Sequence, residues 1–199
     1  MMELYPKIDS IFKRDDKGRF TDEYSCDAFK YLANNEWTFT EKIDGTNIRI
    51  GFDALGVHIG GRTERAQIPA HLVEYLSSTF TEDKFTDEIV LYGEGYGHKI
   101  QKGGRYLEDR VGFILFDVRV GNWWLKRDDI LDIGSNFGVP VVPVIGCGTL
   151  EDACKMAKDG IMSQVGDCDA EGIVLRPAVE LKERSGRRII TKVKTRDFK

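Results

Sequence analysis

The chain has 199 residues, enough for one large domain with a substantial core or at most two small ones. Ordinary apolar and charged fractions (41% and 31%), no stretch near ~18 consecutive apolar residues and no signal-peptide layout in Met1-Met2-Glu3-Leu4-Tyr5-Pro6-Lys7 point to a cytoplasmic globular protein with no membrane partner. The net charge of −4 argues against nonspecific nucleic-acid binding, but Lys182–Lys199 carries eight Lys/Arg against two acids, a local charge of about +6 that leaves the remainder near −10.

In chain order, Asp22 to Asn35 reads as a helix with Tyr24, Ala28, Phe29, Tyr31 and Leu32 on its apolar side. Trp37 to Phe52 reads as two strands around an Asp44-Gly45 turn, and Asp53-Ala54-Leu55-Gly56 turns into a third, Val57 to Gly60. A helix is predicted from Pro69, burying Leu72, Val73, Leu76 and Phe80. Glu88 to Tyr92 is a strand running into a glycine loop, Gly93 to Gly97, and Val111 to Val118 and Val120 to Leu125 are two more strands. Arg127 to Phe137 is a helix stopped by Gly138. A second helix is capped by Thr149 with Asp152 placed for a capping box, and its inner face is Leu150, Ala153, Cys154, Ala157 and Ile161. Strands at Ile173 to Leu175 and Arg188 to Lys194 finish the chain. With hairpin-style connections dominating, the fold class is α+β with mainly antiparallel sheets flanked by helices. The cysteines Cys26, Cys147, Cys154 and Cys168 show neither CxxC pairing nor regular spacing, which favours a reduced chain without a zinc site.

The most informative stretch is Thr40-Glu41-Lys42-Ile43-Asp44-Gly45-Thr46-Asn47. A lysine at the end of a strand, followed by a tight Asp-Gly turn, suits a nucleophilic amine held beneath a ligand. An amine attacking a nucleotide phosphate must part with its proton, which nearby cations and desolvation favour. The phosphates and the departing pyrophosphate need positive charge, a metal needs carboxylates, and the base needs an aromatic face. Each type is present on a segment that reads as a strand end. Arg62 follows Gly60-Gly61, and Glu94 sits between two glycines. Phe116-Asp117 closes an apolar strand, Glu171 opens another, and Lys192 and Lys194 share one strand face. Taken singly, each has an ordinary explanation, such as a core aromatic or a solvated lysine face. Gly93 to Gly97 in particular lacks the G-x-G-x-x-G spacing of a nucleotide loop. Their joint order is the signal.

That order resembles the covalent nucleotidyltransferase superfamily of ATP-dependent ligases and mRNA capping enzymes, and within it the RNA ligase 2-like branch, over about Trp37 to Phe198. Lys42-Ile43-Asp44-Gly45 matches the nucleophile motif, extended by Thr46-Asn47 in the RNA-ligase manner. Arg62-Thr63, Gly93-Glu94-Gly95, Phe116-Asp117, Glu171-Gly172-Ile173-Val174 and Lys192-Val193-Lys194 match the five motifs that follow. The resemblance implies an ATP- and Mg²⁺- or Mn²⁺-dependent polynucleotide ligase, RNA favoured, that joins 5′-phosphate and 3′-hydroxyl ends. Lys42 would carry AMP, and Lys192 and Lys194 would neutralise the α-phosphate. Glu94 would contact the ribose or a metal-bound water, and Glu171 would help hold the metal, with Asp44 a further candidate. Phe116 would stack on adenine, Glu41 would read its edge, and Arg62 and Asn47 would orient phosphates and reacting ends.

Many members of this superfamily continue into a second domain, an OB-fold or a helical one, whereas this sequence runs five residues past Lys194. The expectation is therefore a single nucleotidyltransferase domain over 1–199, without an OB-fold, on which residues 1–36 pack as an N-terminal extension. Strand binding would fall to this domain, with Lys99, Lys102 and Arg105 of the basic loop His98 to Arg105 as candidates. No required protein partner is evident. A minimal DNA ligase, or a module that self-adenylylates without sealing strands, are the rival readings.

Overall fold

The computed structural model describes residues 2–101 and 105–198. They form two compact units: residues 1–6 with 44–142, and residues 7–43 with 143–199. The chain crosses from one to the other after Pro6, Ile43 and Val142. Among the described residues, no helix is long and apolar enough to cross a membrane.

The unit made of residues 7–43 and 143–199 is built on a five-stranded sheet. Its strands are β1 (Asp9–Ser10), β4 (Trp37–Lys42), β10 (Val144–Gly148), β11 (Gly172–Pro177) and β12 (Thr191–Lys194), in the spatial order β1-β12-β11-β4-β10. All neighbours are antiparallel except β1 and β12. Phe39, Ile173, Leu175 and Val193 pack from one face of this sheet against α4 (Leu150–Asp159), which contributes Leu150, Ala153 and Ala157. The predicted capping box is present: Asp152 N–H donates to Thr149 Oγ1, and the Asp152 carboxylate accepts from the Thr149 N–H.

The predicted helix over 22–35 is a correction. Strand β3 (Phe20–Tyr24) pairs with β2 (Phe12–Arg14), and only α1 (Asp27–Tyr31) is helical. Phe12 stacks edge-on to Phe20 and against Tyr24 across this hairpin, at 5.7 and 5.1 Å between ring centroids. Aromatic cross-strand packing thus overrides the helical spacing of Tyr24, and Tyr31, expected on the buried side, is exposed.

The other unit is a second five-stranded sheet, wholly antiparallel, in the order β6-β5-β7-β8-β9. Its strands are β5 (Thr46–Asp53), β6 (Gly56–Gly61), β7 (Ile89–Gly97), β8 (Val111–Val120) and β9 (Trp123–Trp124). Helices α2 (Ala70–Thr79) and α3 (Arg127–Phe137) cover one face, where Ile48, Ile50, Leu91, Phe113 and Leu115 meet Leu72, Leu76, Ile130 and Phe137. Trp123 is exposed and Trp124 half-buried, so neither tryptophan is core; a two-residue edge strand has too little cover to bury one.

Two further readings are revised. The Asp44-Gly45 turn does not join a hairpin, because β4 pairs with β10 and β11 while β5 pairs with β6 and β7. And Gly93 to Gly97 is not a loop but the second half of β7, inside the sheet. Its glycines serve close packing. A Cβ on Gly93 would lie 2.2 Å from Phe113 Cζ and 2.5 Å from the Ile114 carbonyl, and one on Gly95 would lie 2.6 Å from Leu72. Phe113 is fully buried and wedged edge-on against Phe80, so it cannot yield. Gly93→Ala is therefore expected to cost about 1–3 kcal/mol of stability by overpacking, read as a lower urea midpoint. Gly146→Ala, whose methyl meets Phe39 at 3.4 Å, leaves the midpoint near wild type.

Candidate active site

Strand β4 alternates its side chains across the sheet, so Lys42 leaves the face opposite to Phe39 and Glu41. Its register partner on β11 is Gly172, and Gly172 in turn is paired with Lys194 on β12. One row of the sheet thus reads Lys42, Gly172, Lys194, and the next reads Thr40, Val174, Lys192. A Cβ on Gly172 would meet the Val193 carbonyl at 2.2 Å, so the row closes only around a residue without a side chain. Glu171, the residue before β11, accepts from both lysines: Lys42 Nζ lies 2.5 Å from its Oε2, and Lys194 Nζ pairs with its Oε1. All three side chains are largely buried. The Glu171 backbone is fixed as well, since its carbonyl accepts from the Thr195 N–H at 3.0 Å. Asp197 secures the end of β12, accepting from the Lys194 N–H at 2.9 Å and pairing with Arg14 at 2.8 Å.

Glu41 is 2% exposed on the opposite face, and both its oxygens are engaged. Oε1 accepts from the Ser163 hydroxyl at 2.5 Å, and Oε2 accepts from the Gln164 N–H at 2.8 Å.

In the other unit, residues of the sheet face turned away from α2 and α3 fall in register. Asn47 lies opposite Glu94, and Glu94 opposite Ile114. Asn47 Oδ1 is buried with no hydrogen-bond partner among the described residues, an acceptor waiting for a donor. Tyr92 faces Asp117 and Gly93 faces Leu115, which leaves Phe116 as the extra residue of a β-bulge. Bulges re-aim side chains, and Phe116 is half-exposed with the Tyr5 ring edge-on to it at 5.0 Å. The N-terminal residues lie across this face. Tyr5 donates to Asp117 at 2.8 Å, and the Tyr92 hydroxyl, pushed up to about 12 by burial and so kept a donor, bonds the Glu3 carbonyl at 3.0 Å.

Arg62 is exposed, one residue beyond β6. What fixes the chain there is Arg49, a residue the sequence did not single out. Arg49 is 1% exposed. It donates Nε–H to the Gly61 carbonyl at 2.8 Å, and Nη1–H to the Met2 carbonyl at 2.8 Å and to Glu64 at 3.1 Å. Gly60 makes room for it, since a Cβ there would stand 3.1 Å from Nη2. The available sequence signal was a charged residue on a strand opposite a glycine. Asp44 is half-buried, its N–H 3.4 Å from the Tyr106 hydroxyl. Lys99 and Arg105 are exposed, Lys99 with φ of 57°, and Lys102 lies outside the described residues.

Among the described residues, no three His, Cys, Asp or Glu are gathered as a protein-built metal cage. Mg²⁺ bound to a nucleotide keeps waters and phosphate oxygens and needs only one or two carboxylates. Glu171, ionised and flanked by lysines, fits that kind of ion and not a metal held by protein alone.

The RNA ligase family model matches residues 35–194, a span that holds Lys42, Glu171 and Lys194 as well as Asn47, Glu94 and Phe116. The chain belongs to the RNA ligase family. Structures of an RNA ligase from Naegleria gruberi share its α+β fold. A lysine-to-alanine mutant with ATP and Mn superposes with a TM-score of 0.68 at 16% identity, over 98% of this chain and 62% of that one. A lysine-to-methionine mutant with AMP and Mn gives 0.66 at 16%, over 99% and 63%, and the form with PPi gives 0.64 at 17%, over 99% and 63%. This chain therefore spans less than two thirds of the length of those relatives. No curated protein matches it.

Burial, the largest single influence on the Glu171 carboxyl, pushes it up. Lys42 and Lys194 together outweigh that and hold it below its ordinary 4.5. With the folded value below the unfolded one, the pairing stabilises the fold above the unfolded value, and that contribution is lost as pH falls through the folded value. Urea melts across pH should show wild type exceeding Glu171→Gln most near neutrality, with the gap closing below about pH 4.5. Parallel curves would mean that the carboxylate is not held by its lysines.

Proposed function

We propose that this RNA ligase family chain is an ATP-dependent RNA ligase of the RNA ligase 2-like kind, working through a lysyl–AMP intermediate, and that its two units make up one nucleotidyltransferase domain. The observation that carries the reading is the Lys42–Glu171–Lys194 cluster: a strand-end lysine, second cation and carboxylate, desolvated together on one sheet face. ATP, AMP, PPi and Mn in the Naegleria gruberi structures support the choice of ATP and a divalent metal, Mg²⁺ or Mn²⁺, for this chain.

In the first step the neutral amine of Lys42 attacks the α-phosphorus of ATP. The N–P bond forms, the bond to the bridging oxygen breaks with its electron pair leaving on pyrophosphate, and the amine's proton is released. In the second, an oxygen of an RNA 5′-phosphate attacks the phosphorus of the bound AMP; the N–P bond breaks, its electrons return to the Lys42 nitrogen, and that nitrogen takes up a proton to leave as the amine. In the third, a 3′-hydroxyl attacks the activated 5′-phosphorus and loses its proton; the new O–P bond forms as the pyrophosphate P–O bond breaks with its electron pair leaving on AMP. Glu171, with Glu94 acting through water and Asp44 as a further ligand, would hold a divalent ion, which would supply charge neutralisation on the phosphates. Lys192 and Lys194 supply more of it at the α-phosphate.

In the other unit, Phe116 stacks on adenine, which its bulge and half-exposure suit. Glu94 contacts the ribose. Arg62 orients phosphates, and Asn47 Oδ1, an acceptor without a donor among the described residues, suits a hydroxyl of a reacting end. Glu41, buried on the face opposite Lys42 with its two oxygens bonded to Ser163 and Gln164, is not left free to read the adenine edge. Lys99, Lys102 and Arg105 track the RNA backbone.

Incubation with α-labelled ATP and Mg²⁺ should leave a covalent label on the wild-type chain in a denaturing gel and none on Lys42→Ala. The label should then pass to a 5′-phosphorylated RNA. No label on wild type would overturn the reading. A label that passes to DNA alone would make the chain a DNA ligase, and one that passes to no strand would make it a self-adenylylating module.

A further inference from the structure

Glu41 and Lys42 are consecutive on β4, and Glu171 follows a loop, 161–170, whose two ends are tied together. Ala170 N–H donates to the Ile161 carbonyl and Ser163 N–H to the Cys168 carbonyl, each at 2.9 Å. Within that loop Ser163 is the hub of a tight turn. Its oxygen accepts from the Val165 N–H at 2.9 Å and the Gly166 N–H at 3.2 Å, which commits its proton to Glu41. The Gln164 N–H bonds the second oxygen of the same carboxylate. Loop 161–170 is therefore clamped to the residue beside Lys42 at one end and runs directly into Glu171 at the other.

We propose that Ser163 is a positioning residue for the adenylylation step, fixing Lys42 and Glu171 relative to each other through Glu41. The inference rests on the reading of Lys42 as the AMP-accepting nucleophile. A buried carboxylate tolerates burial only while its oxygens are bonded. Deleting the hydroxyl strands Glu41 Oε1 and the two N–H groups of the turn at once. The carboxylate or the loop must then move, and with it the strand end that carries Lys42 or the lead-in to Glu171. The sequence held only a faint sign of this, a Ser-Gln-Val-Gly turn in an otherwise irregular stretch.

The test is single-turnover self-adenylylation of the full chain with α-labelled ATP, as a function of ATP concentration, for wild type, Ser163→Ala, Ser163→Cys and Ser163→Thr. Thermal melts fix an assay temperature at which every variant is folded. Misplacing reacting groups slows the chemical step more than it weakens binding. Ser163→Ala should therefore lower the rate at saturating ATP by about 10-fold or more, with a much smaller change in the half-saturating concentration. Ser163→Thr, which keeps the donor, should restore most of the rate, and Ser163→Cys, a weak donor, should fall between. A wild-type saturating rate in folded Ser163→Ala or Ser163→Cys, or a loss that Ser163→Thr fails to rescue, overturns the positioning role while leaving the nucleophile assignment intact. An unlabelled wild type overturns that assignment itself.

Discussion

Two lysines from different strands reach one carboxylate because the residue between them has no side chain. Gly172 lets β11 lie so close to β12 that a methyl would strike the Val193 carbonyl, and the row Lys42, Gly172, Lys194 closes around Glu171. The remaining features of that unit follow from this constraint. Glu171 must precede the strand to reach both ammonium groups, its carbonyl is fixed by Thr195, and Asp197 holds the end of β12. Desolvating a carboxylate beside a single cation would be costly; two cations and fixed geometry offset it.

The other unit shows the same economy of space on an antiparallel sheet. Gly60 admits the guanidinium of Arg49, and Gly93 and Gly95 admit Phe113 and Leu72. A bulge turns Phe116 out of the ladder, and the N-terminal residues cross the face turned away from α2 and α3 to bond Arg49, Tyr92 and Asp117. In both units a glycine in a strand marks close approach rather than freedom of the backbone.

What the sequence made legible was the RNA ligase family and the α+β class. Lysine, arginine, glutamate, the Phe-Asp pair and the lysine pair sit in an order that stands out whatever the folding details, and the α+β class follows from strand and helix periodicity. What it hid was pairing. The Asp44-Gly45 step looks like a hairpin turn because its flanks alternate, yet β4 and β5 belong to different sheets, a fact set by partners far along the chain. Asp22 to Tyr24 read as the start of a helix, and it is pairing with β2, with the Phe12 ring against Phe20 and Tyr24, that makes them part of a strand. Arg49 and Ser163 were missed for a similar reason: each acts by bonding backbone and carboxylate groups that the fold, not the local sequence, brings to it.

The central claim is that the amine held by Glu171 is the one that takes AMP, and not Lys192 or Lys194 on the neighbouring strand. Peptide mapping by mass spectrometry, after treatment with ATP and Mg²⁺ at neutral to alkaline pH to preserve the phosphoramidate, reads this directly. The account predicts an AMP adduct confined to the peptide that contains Lys42. An adduct on Lys192 or Lys194, with Lys42 unmodified, would contradict it.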